Sequence, residues 1–217
     1  MKCISSKKKI ENYFLVQRIL FASEQCLNLM RKSLLPILRK NGLNHAQYLI
    51  LMIVNYAEMN DNKIISTDLS YILGREKHTM TPQVDSLEKK DMLVRERSSS
   101  DRRAVFLRLT DRGRNLISRV QPQTMDVVSS VSVGTAENFK KIYNFLKNFR
   151  DTVADLAGQN PELYSKPYEK LLVAGEEKYM QVLTKRQNLN DKTLEENIIE
   201  SQTKNEINEE KTSLEKT

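Results

Sequence analysis

A glycine-containing turn between two short amphipathic helices is the feature that most limits how this chain can fold. Gly74 supplies the left-handed backbone conformation that ends the first of these helices. Three residues later, a second helix places Met80, Val84 and Leu87 at positions i, i+4 and i+7, which lie on one face. Two helices joined by a short turn of this kind form a helix-turn-helix.

Two short strands follow the second helix directly. Residues 93–94 form the first strand, and residues 104–109 form the second, in which apolar side chains alternate along one face. The stretch 95–103 between them is polar and basic, which suits the tip of a hairpin. A helix-turn-helix followed by a basic hairpin predicts a winged helix.

Long helices are predicted on both sides of this unit. Only six glycines and five prolines occur in 217 residues, and this scarcity of turn-forming residues disfavours a many-stranded protein. Apolar residues recur at helical spacing over 8–40, 45–59, 110 to about 133, and 135 to about 159. Pro36 should bend or restart the first of these helices, and Thr110, Thr135 and either Ser66 or Thr67 are expected helix caps. The predicted fold class is mainly α with a small β hairpin.

Charge is distributed unevenly along the chain. The formal net charge is +7, but the last 31 residues hold eight acidic residues and four lysines, a net of −4, which leaves +11 for the first 186. A body this basic attracts polyanions, although a solubilising surface is the alternative explanation. The segment 75–114 holds 11 basic and 7 acidic residues, so part of the excess lies in the predicted winged helix and favours a binding surface.

Several classes of protein are disfavoured by what the sequence lacks. Two cysteines, Cys3 and Cys26, cannot build a disulfide framework, and no uninterrupted apolar run approaches the ~18 residues of a membrane span. We therefore expect a cytoplasmic protein with neither a signal peptide nor a membrane span. His45 and His78 are too isolated for a metal site, and no glycine-rich phosphate loop or catalytic triad order occurs. Neither an enzyme nor a cofactor is expected.

Six short motifs between residues 69 and 113 carry a family resemblance. They are Leu69–Gly74, Met80–Thr81, Val84–Lys90, Arg95, Asp101–Arg103 and Leu109–Gly113. In this order they resemble the MarR family of winged-helix transcription regulators. The flanking helices match as well, so the resemblance covers about three quarters of the chain.

The resemblance implies an obligate homodimer that binds double-stranded DNA. Its first and last helices would interwind, and its two recognition helices would enter major grooves about one helical turn apart on pseudo-palindromic DNA. The chain would then divide into an N-terminal dimerisation helix (1–43), a winged helix-turn-helix DNA-binding domain (44–109) and C-terminal dimerisation helices (110–159). Residues 160–186 are predicted to form an extra amphipathic helix, and residues 187–217 a polar, acidic, disordered tail.

The second helix of the winged helix is the expected recognition helix. Because its core face is apolar, the side chains at its amino-terminal end point outward and can reach base edges. Gln83 can bind adenine bidentately, and threonine methyls can contact thymine, although a merely solvated role for Gln83 is the alternative. The predicted DNA contacts are Ser66, Arg75, Lys77, His78, Thr79, Thr81, Pro82, Gln83, Arg95, Arg97, Arg102 and Arg103.

The arginines of the predicted wing are given different roles. Arg103 matches the arginine of the family's Asp-x-Arg motif, so the resemblance implies that it enters a narrow minor groove. Asp101 is expected to brace the hairpin through an arginine. Arg95, Arg97 and Arg102 are assigned to phosphate contacts or to bracing, and a solvated charged hairpin is the alternative.

Two positions depart from the family pattern. Asp91 stands where glycine is usual after the recognition helix, and aspartate tolerates the required left-handed conformation only moderately. Pro82 lies inside the expected recognition helix. Thr81 could cap a helix that begins at Pro82, but the core spacing predicts a start near Lys77.

The resemblance also implies a ligand pocket, because many family members bind an aromatic or phenolic anion between the first two helices and the winged domain. The candidate residues here are Tyr13, Phe14, Arg18, Phe21, Tyr48 and Tyr56, for which ordinary core and dimer packing is the favoured alternative. Cys26 on the first helix is expected to be a buried packing thiol, and peroxide sensing is the less favoured alternative.

Together these inferences predict a sequence-specific DNA-binding transcription regulator. It is expected to act as a homodimeric repressor, which a small aromatic ligand would release from DNA. Two alternatives stay open: a non-specific architectural DNA-binding protein, and a protein-interaction module that uses the helix at 160–186 and the acidic tail.

Overall fold

The computed structural model describes residues 6–97, 104–130, 134–173, 177–182 and 184. Its elements, in chain order, are α1 (Ser6–Lys40), α2 (His45–Met59), β1 (Ile64–Ile65), α3 (Ser66–Ile72), α4 (Lys77–Lys89), β2 (Leu93–Arg97), β3 (Val105–Leu109), α5 (Asp111–Ser129), α6 (Ala136–Leu156) and α7 (Glu162–Tyr168). A π-helical turn (Glu169–Val173) continues α7. The mostly helical chain with its small antiparallel sheet confirms the predicted fold class.

The sheet has three strands in the order β1-β3-β2. The predicted hairpin is present, with Leu93 opposite Leu109 and Arg97 opposite Val105. On its other edge, β3 pairs with β1, where Ile64 lies opposite Leu107. Strand β1 is not predictable from the sequence, because two residues are too few to display an alternating pattern.

The core is built around α2, which is apolar on most of its surface. Ile50, Leu51 and Val54 of α2 are completely buried. The helix packs against α1, α4, α5 and β3, so it connects the long helices to the winged helix. The recognition helix is held in place by α2 together with α3 and β2.

Helix α4 begins at Lys77, as the core spacing predicted, and runs through Pro82. Met80, Val84 and Leu87 are buried on one face, and their burial holds the helix in place although proline removes one backbone hydrogen bond. Thr81 therefore lies within the helix and does not cap it. Asp91 takes the left-handed conformation with φ of 55°, as its place after the helix requires.

Helix α1 is continuous through Pro36, so the new helix start expected there is not formed. Leu34 and Leu38 on either side of the proline are buried against the core, which compensates for the lost backbone bond. The amino-terminal part of α1 extends beyond this core. Cys26 lies in that part and is exposed, so the prediction of a buried packing thiol is wrong for the single chain.

Two of the predicted helix caps are confirmed. Thr110 Oγ1 accepts a hydrogen bond of 3.0 Å from the backbone N–H of Gly113, and the Thr135 hydroxyl caps α6 in the same way. The prediction of a cap at Ser66 or Thr67 is wrong, because both residues are already helical and Ile65 precedes the helix. Helix α5 ends at Ser129, earlier than expected.

The predicted single helix over 160–186 is divided. Helix α7 and the π-helical turn are followed, after residues 174–176, by a helical stretch at 177–182. Leu171 in the π-helical turn is buried in the core. The predicted acidic tail lies outside the described residues. Within those that are described, every helix is too short or too polar to cross a membrane.

Candidate nucleic-acid interface

The amino-terminal half of α4 presents a solvent-facing surface. Lys77, His78, Thr79, Thr81 and Pro82 are exposed, and Gln83 is half-buried. The hydroxyls of Thr79 and Thr81 donate to backbone carbonyls of the preceding turn, at 2.8 and 3.1 Å. Because the hydroxyls are used within the helix, the methyl groups are the parts of these threonines left to meet an apolar group such as the thymine methyl.

A polar network between α2 and α4 sets the rotation of the recognition helix. Asn44 Nδ2 donates to Gln83 Oε1 at 2.9 Å, and Gln47 Nε2 donates to Ser86 Oγ at 3.0 Å. Lys90 Nζ donates to Gln47 Oε1 at 3.1 Å. These contacts, at Gln83, Ser86 and Lys90, fix which face of α4 points to solvent.

The residues that support this face of α4 were not predicted from the sequence. Asn44 and Gln47 form a capping box at the start of α2, with Gln47 N–H donating to Asn44 Oδ1 at 2.8 Å. The Asn-x-x-Gln spacing could have indicated the cap. Nothing in the local sequence indicates that the same side chains reach across to α4.

Arg95 on β2 braces the wing against the recognition helix. Its guanidinium donates to Asp85 Oδ1 at 2.6 Å and also forms an ion pair with Glu88. Both carboxylates lie on the carboxyl-terminal half of α4. Of the two roles predicted for Arg95, phosphate contact and bracing, this geometry favours bracing, because its charge is already compensated within the protein.

The base of the wing is held by Glu58 at the end of α2. Glu58 Oε1 accepts a hydrogen bond of 2.9 Å from the Leu109 N–H, and its carboxylate pairs with Arg114 on α5. Its side chain is only 14% exposed, which strengthens these charge-assisted contacts. Strand β3 and the start of α5 are thus fixed to α2.

The other predicted contacts fall into two groups. Arg75 is exposed in the turn between α3 and α4, Arg97 is exposed at the end of β2, and Ser66 is half-buried at the start of α3. Arg102, Arg103 and the predicted brace Asp101 lie outside the described residues. The structure therefore brings Arg75 next to the exposed end of α4.

A cavity of about 400 Å³ lies between α2 and α5. This α2–α5 cavity is lined by Tyr48 and Tyr56 of α2, by Gln121 and Thr124 of α5, and by Tyr179 and Met180. The Tyr48 and Thr124 hydroxyls are 2.7 Å apart, and Gln121 Nε2 donates to the Tyr56 hydroxyl at 2.7 Å. Burial raises the pKa of Tyr48, so its hydroxyl stays protonated at neutral pH.

Only part of the predicted ligand pocket is assembled here. Tyr48 and Tyr56 line the cavity, whereas Tyr13, Phe14, Arg18 and Phe21 lie on the exposed part of α1. Grouping these four with the tyrosines is therefore wrong within one chain, because the amino-terminal part of α1 extends past the core instead of folding over it.

Residues 32–120, which include α4 and both strands of the hairpin, match the family model of the SarA/Rot transcriptional regulators. The helix-turn-helix-type transcriptional regulator SarZ of Staphylococcus epidermidis is 26% identical over 148 residues, which cover 66% of this chain and 97% of SarZ. In fold, the chain is similar to AbsC, a MarR family transcriptional regulator from Streptomyces coelicolor, with a TM-score of 0.56. The chain is a DNA-binding transcriptional regulator with a winged-helix fold.

Two solved structures show that this regulator shares the winged-helix fold. AbsC is 21% identical, and the match covers 73% of this chain and 100% of AbsC. A second MarR family regulator from Streptomyces coelicolor, solved in complex with DNA, is 20% identical, with a TM-score of 0.54, and covers 70% of this chain and 91% of its own. DNA binding in transcription regulation, predicted from the sequence, is confirmed by the family and by SarZ.

Positive charge lies close to the start of α2. His45, at the start of α2, has its pKa lowered by burial and by the charges of Arg31 and Arg75. The protonated, cationic form of the His45 imidazole is disfavoured by burial and by these two guanidinium groups. The same excess of positive charge attracts phosphate.

We expect the regulator to lose stability in acid partly through His45. Its pKa is lower in the folded chain than the ordinary value of 6.5, so the unfolded chain binds the proton more readily. The neutral histidine therefore stabilises the fold fully above pH 6.5, and that contribution is lost as the pH falls below 6.5 through the lowered pKa. Denaturant unfolding between pH 7.5 and 5 should show a smaller loss for His45→Gln than for the wild type. His78→Gln, at the exposed histidine, is the control, and equal slopes for His45→Gln and wild type would contradict the assignment.

Proposed function

We propose that the regulator is a homodimeric repressor that recognises a pseudo-palindromic operator in the cytoplasm and occludes a promoter. The observation that carries the proposal is the exposed amino-terminal face of α4, whose rotation is set by hydrogen bonds from α2. In this proposal the chain binds DNA and does not catalyse a reaction.

The exposed residues of α4 take two roles in the proposal. Thr79, Thr81 and Gln83 contact base edges in the major groove, and the second lone pair of Gln83 Oε1 remains available beside its bond to Asn44. The phosphate contacts on this helix and its turn are Arg75, Lys77 and His78. In the wing, Arg97, Arg102 and Arg103 are proposed to reach the backbone or the minor groove, and Arg95 to brace.

The homodimer is supported by apolar side chains that the single chain leaves uncovered. On α1 they include Tyr13, Phe14 and Phe21, which are 56–67% exposed, and α6 adds Ile142 and Phe145, at 53% and 51%. Monomeric proteins rarely expose continuous apolar surfaces on this scale. A second copy of the chain would cover both helices through a symmetric interface.

A small aromatic or phenolic ligand is proposed to enter the α2–α5 cavity. The cavity offers the rings of Tyr48 and Tyr56 together with polar groups of Gln121 and Thr124. Because α2 carries the network that orients α4, a ligand that shifts α2 would change the separation of the two recognition helices.

Base recognition is tested by fluorescence-anisotropy binding to a duplex from upstream of the chain's own gene and to a scrambled duplex. Gln83→Ala is expected to cost about 1–3 kcal/mol on the operator, roughly 5- to 150-fold, and to leave scrambled DNA almost unaffected. Lys77→Ala is the matched control, because loss of a phosphate contact should weaken binding to both duplexes. It should also reduce the slope of log affinity against log salt concentration by about 1 in magnitude.

The salt series also decides between specific regulation and architectural binding. A preference of about 10³-fold or more for the operator at physiological salt supports the proposal. Equal binding to both duplexes that collapses with salt would favour the architectural alternative. Equal losses for Gln83→Ala on both duplexes would contradict base recognition by α4.

A further inference from the structure

After α6, residues 162–173 pack along the winged helix, and residues 177–182 lie at the α2–α5 cavity. We define the C-terminal strap as residues 162–173 and 177–182. Helix α7 packs on α3, where the rings of Tyr164 and Tyr71 meet edge to face with centroids 5.4 Å apart. The π-helical turn then packs on α2 and buries Leu171 in the core.

The far end of the strap covers part of the cavity mouth. The Tyr179 ring meets the Tyr56 ring edge to face, with centroids 6.1 Å apart, and Met180 lies beside it. Lys178 Nζ lies 4.0 Å from Asp61 Oδ2 in the loop after α2. Tyr179 thus lines the same cavity as the buried polar groups of α5.

One of those polar groups lacks a partner. Gln121 is 4% exposed, and its Oε1 atom has no hydrogen-bond partner among the described residues, although its amide nitrogen is bonded to Tyr56. A buried acceptor without a donor costs free energy, so a ligand with a hydrogen-bond donor would bind here with an added gain. The cavity is therefore partly covered by the chain itself and retains an unused acceptor.

We propose that the C-terminal strap is an intramolecular gate on the α2–α5 cavity. The inference rests on the proposed function of the cavity as a ligand site. Tyr179 and a ligand that donates to Gln121 compete for the mouth of the cavity, so the ligand displaces the end of the strap. The closed strap in turn lowers the binding affinity of the ligand, by the same factor as the ligand disfavours the closed strap. Because the strap also packs on α3 through Tyr164, its displacement alters the support of the helix that precedes α4.

The gate is tested with phenol, which has a ring and one hydrogen-bond donor. The chain contains no tryptophan, so Met180→Trp gives the full-length protein a single indole on the strap. Phenol is expected to increase quenching of this indole by acrylamide. In the same background, Tyr179→Ala is expected to increase quenching without phenol and to tighten phenol binding about 2- to 12-fold, the equivalent of one edge-to-face aromatic pair.

Leu163→Ala is the matched control, because Leu163 is an apolar strap residue that does not line the cavity. It should leave phenol affinity and quenching unchanged. The gate is overturned if phenol binds without changing the quenching, if Tyr179→Ala weakens phenol binding, or if phenol binds neither protein. Should Tyr179→Ala fail the circular dichroism check of folding, the response of Met180→Trp alone decides. Operator binding without phenol is measured separately, so failure of the gate is distinguishable from failure of the proposed function.

Discussion

Replacing Gly113 with alanine is expected to destabilise the winged helix by about 2–3 kcal/mol, near the upper end of overpacking costs. Gly113 is buried in the first turn of α5, and a Cβ atom there would overlap the backbone carbonyl oxygen of Met92 far inside van der Waals contact. A flexible side chain could rotate away, but this oxygen belongs to the backbone that leads into β2. It also accepts a hydrogen bond of 3.3 Å from the Thr110 N–H, so moving it would disturb the cap of α5.

Urea unfolding followed by circular dichroism measures this effect. Helix propensity alone would make alanine more favourable than glycine in a helix by about 1 kcal/mol, so a loss of stability has a steric cause. Gly74→Ala is the control. Its φ of +57° costs an L-residue roughly 1–2 kcal/mol, but a Cβ there meets no atom of the described chain within 4 Å. If Gly113→Ala were as stable as wild type, the close approach of α5 to the start of β2 would be wrong.

The helix-turn-helix and the hairpin were predictable because their signals are local. Gly74 marks the turn, and the spacing of Met80, Val84 and Leu87 placed the start of α4 correctly against the competing signal of Thr81–Pro82. The competing cap concerns a single hydrogen bond, whereas the apolar face buries three side chains. Burial therefore outweighed local capping.

The features that the sequence left undetected depend on contacts between distant segments. Strand β1 exists because Ile64 pairs with Leu107, 43 positions later, and no pattern within two residues reveals that. The bonds of Asn44 and Gln47 to α4 span 39 positions. Capping and periodicity rules apply to residues that are close in the chain, so they cannot predict contacts between residues this far apart.

Helical periodicity also fails to tell which apolar stripe is covered by the chain itself. It placed Cys26 and Phe21 on the first helix but could not distinguish a core contact from an uncovered one. In the structure both are exposed. The predicted pocket combined side chains from the covered and the uncovered parts of α1 and α2, and for this reason only Tyr48 and Tyr56 came together.

A substitution among the exposed apolar side chains of α6 is expected to have a large effect on dimerisation. Ile142→Glu is expected to convert the proposed homodimer to a monomer, because it places a charge in the centre of an interface that we propose to be apolar. An unpaired buried charge costs about 3–5 kcal/mol, which lowers the affinity between the two chains roughly a hundredfold to a few thousandfold. In the single chain Ile142 is 53% exposed, so folding of the monomer should be little affected.

Mass and operator affinity should change together. Sedimentation equilibrium is expected to give about the 25.2 kDa of one chain for Ile142→Glu and twice that for the wild type. Operator affinity should fall by at least 100-fold, since one recognition helix alone contacts only a half-site. Asn144→Glu adds the same charge to the same helix, and because Asn144 lies on the opposite, polar face of α6 it should stay dimeric. A dimeric Ile142→Glu protein would exclude α6 from the interface, whereas a monomeric one that still binds the operator tightly would separate dimerisation from DNA recognition.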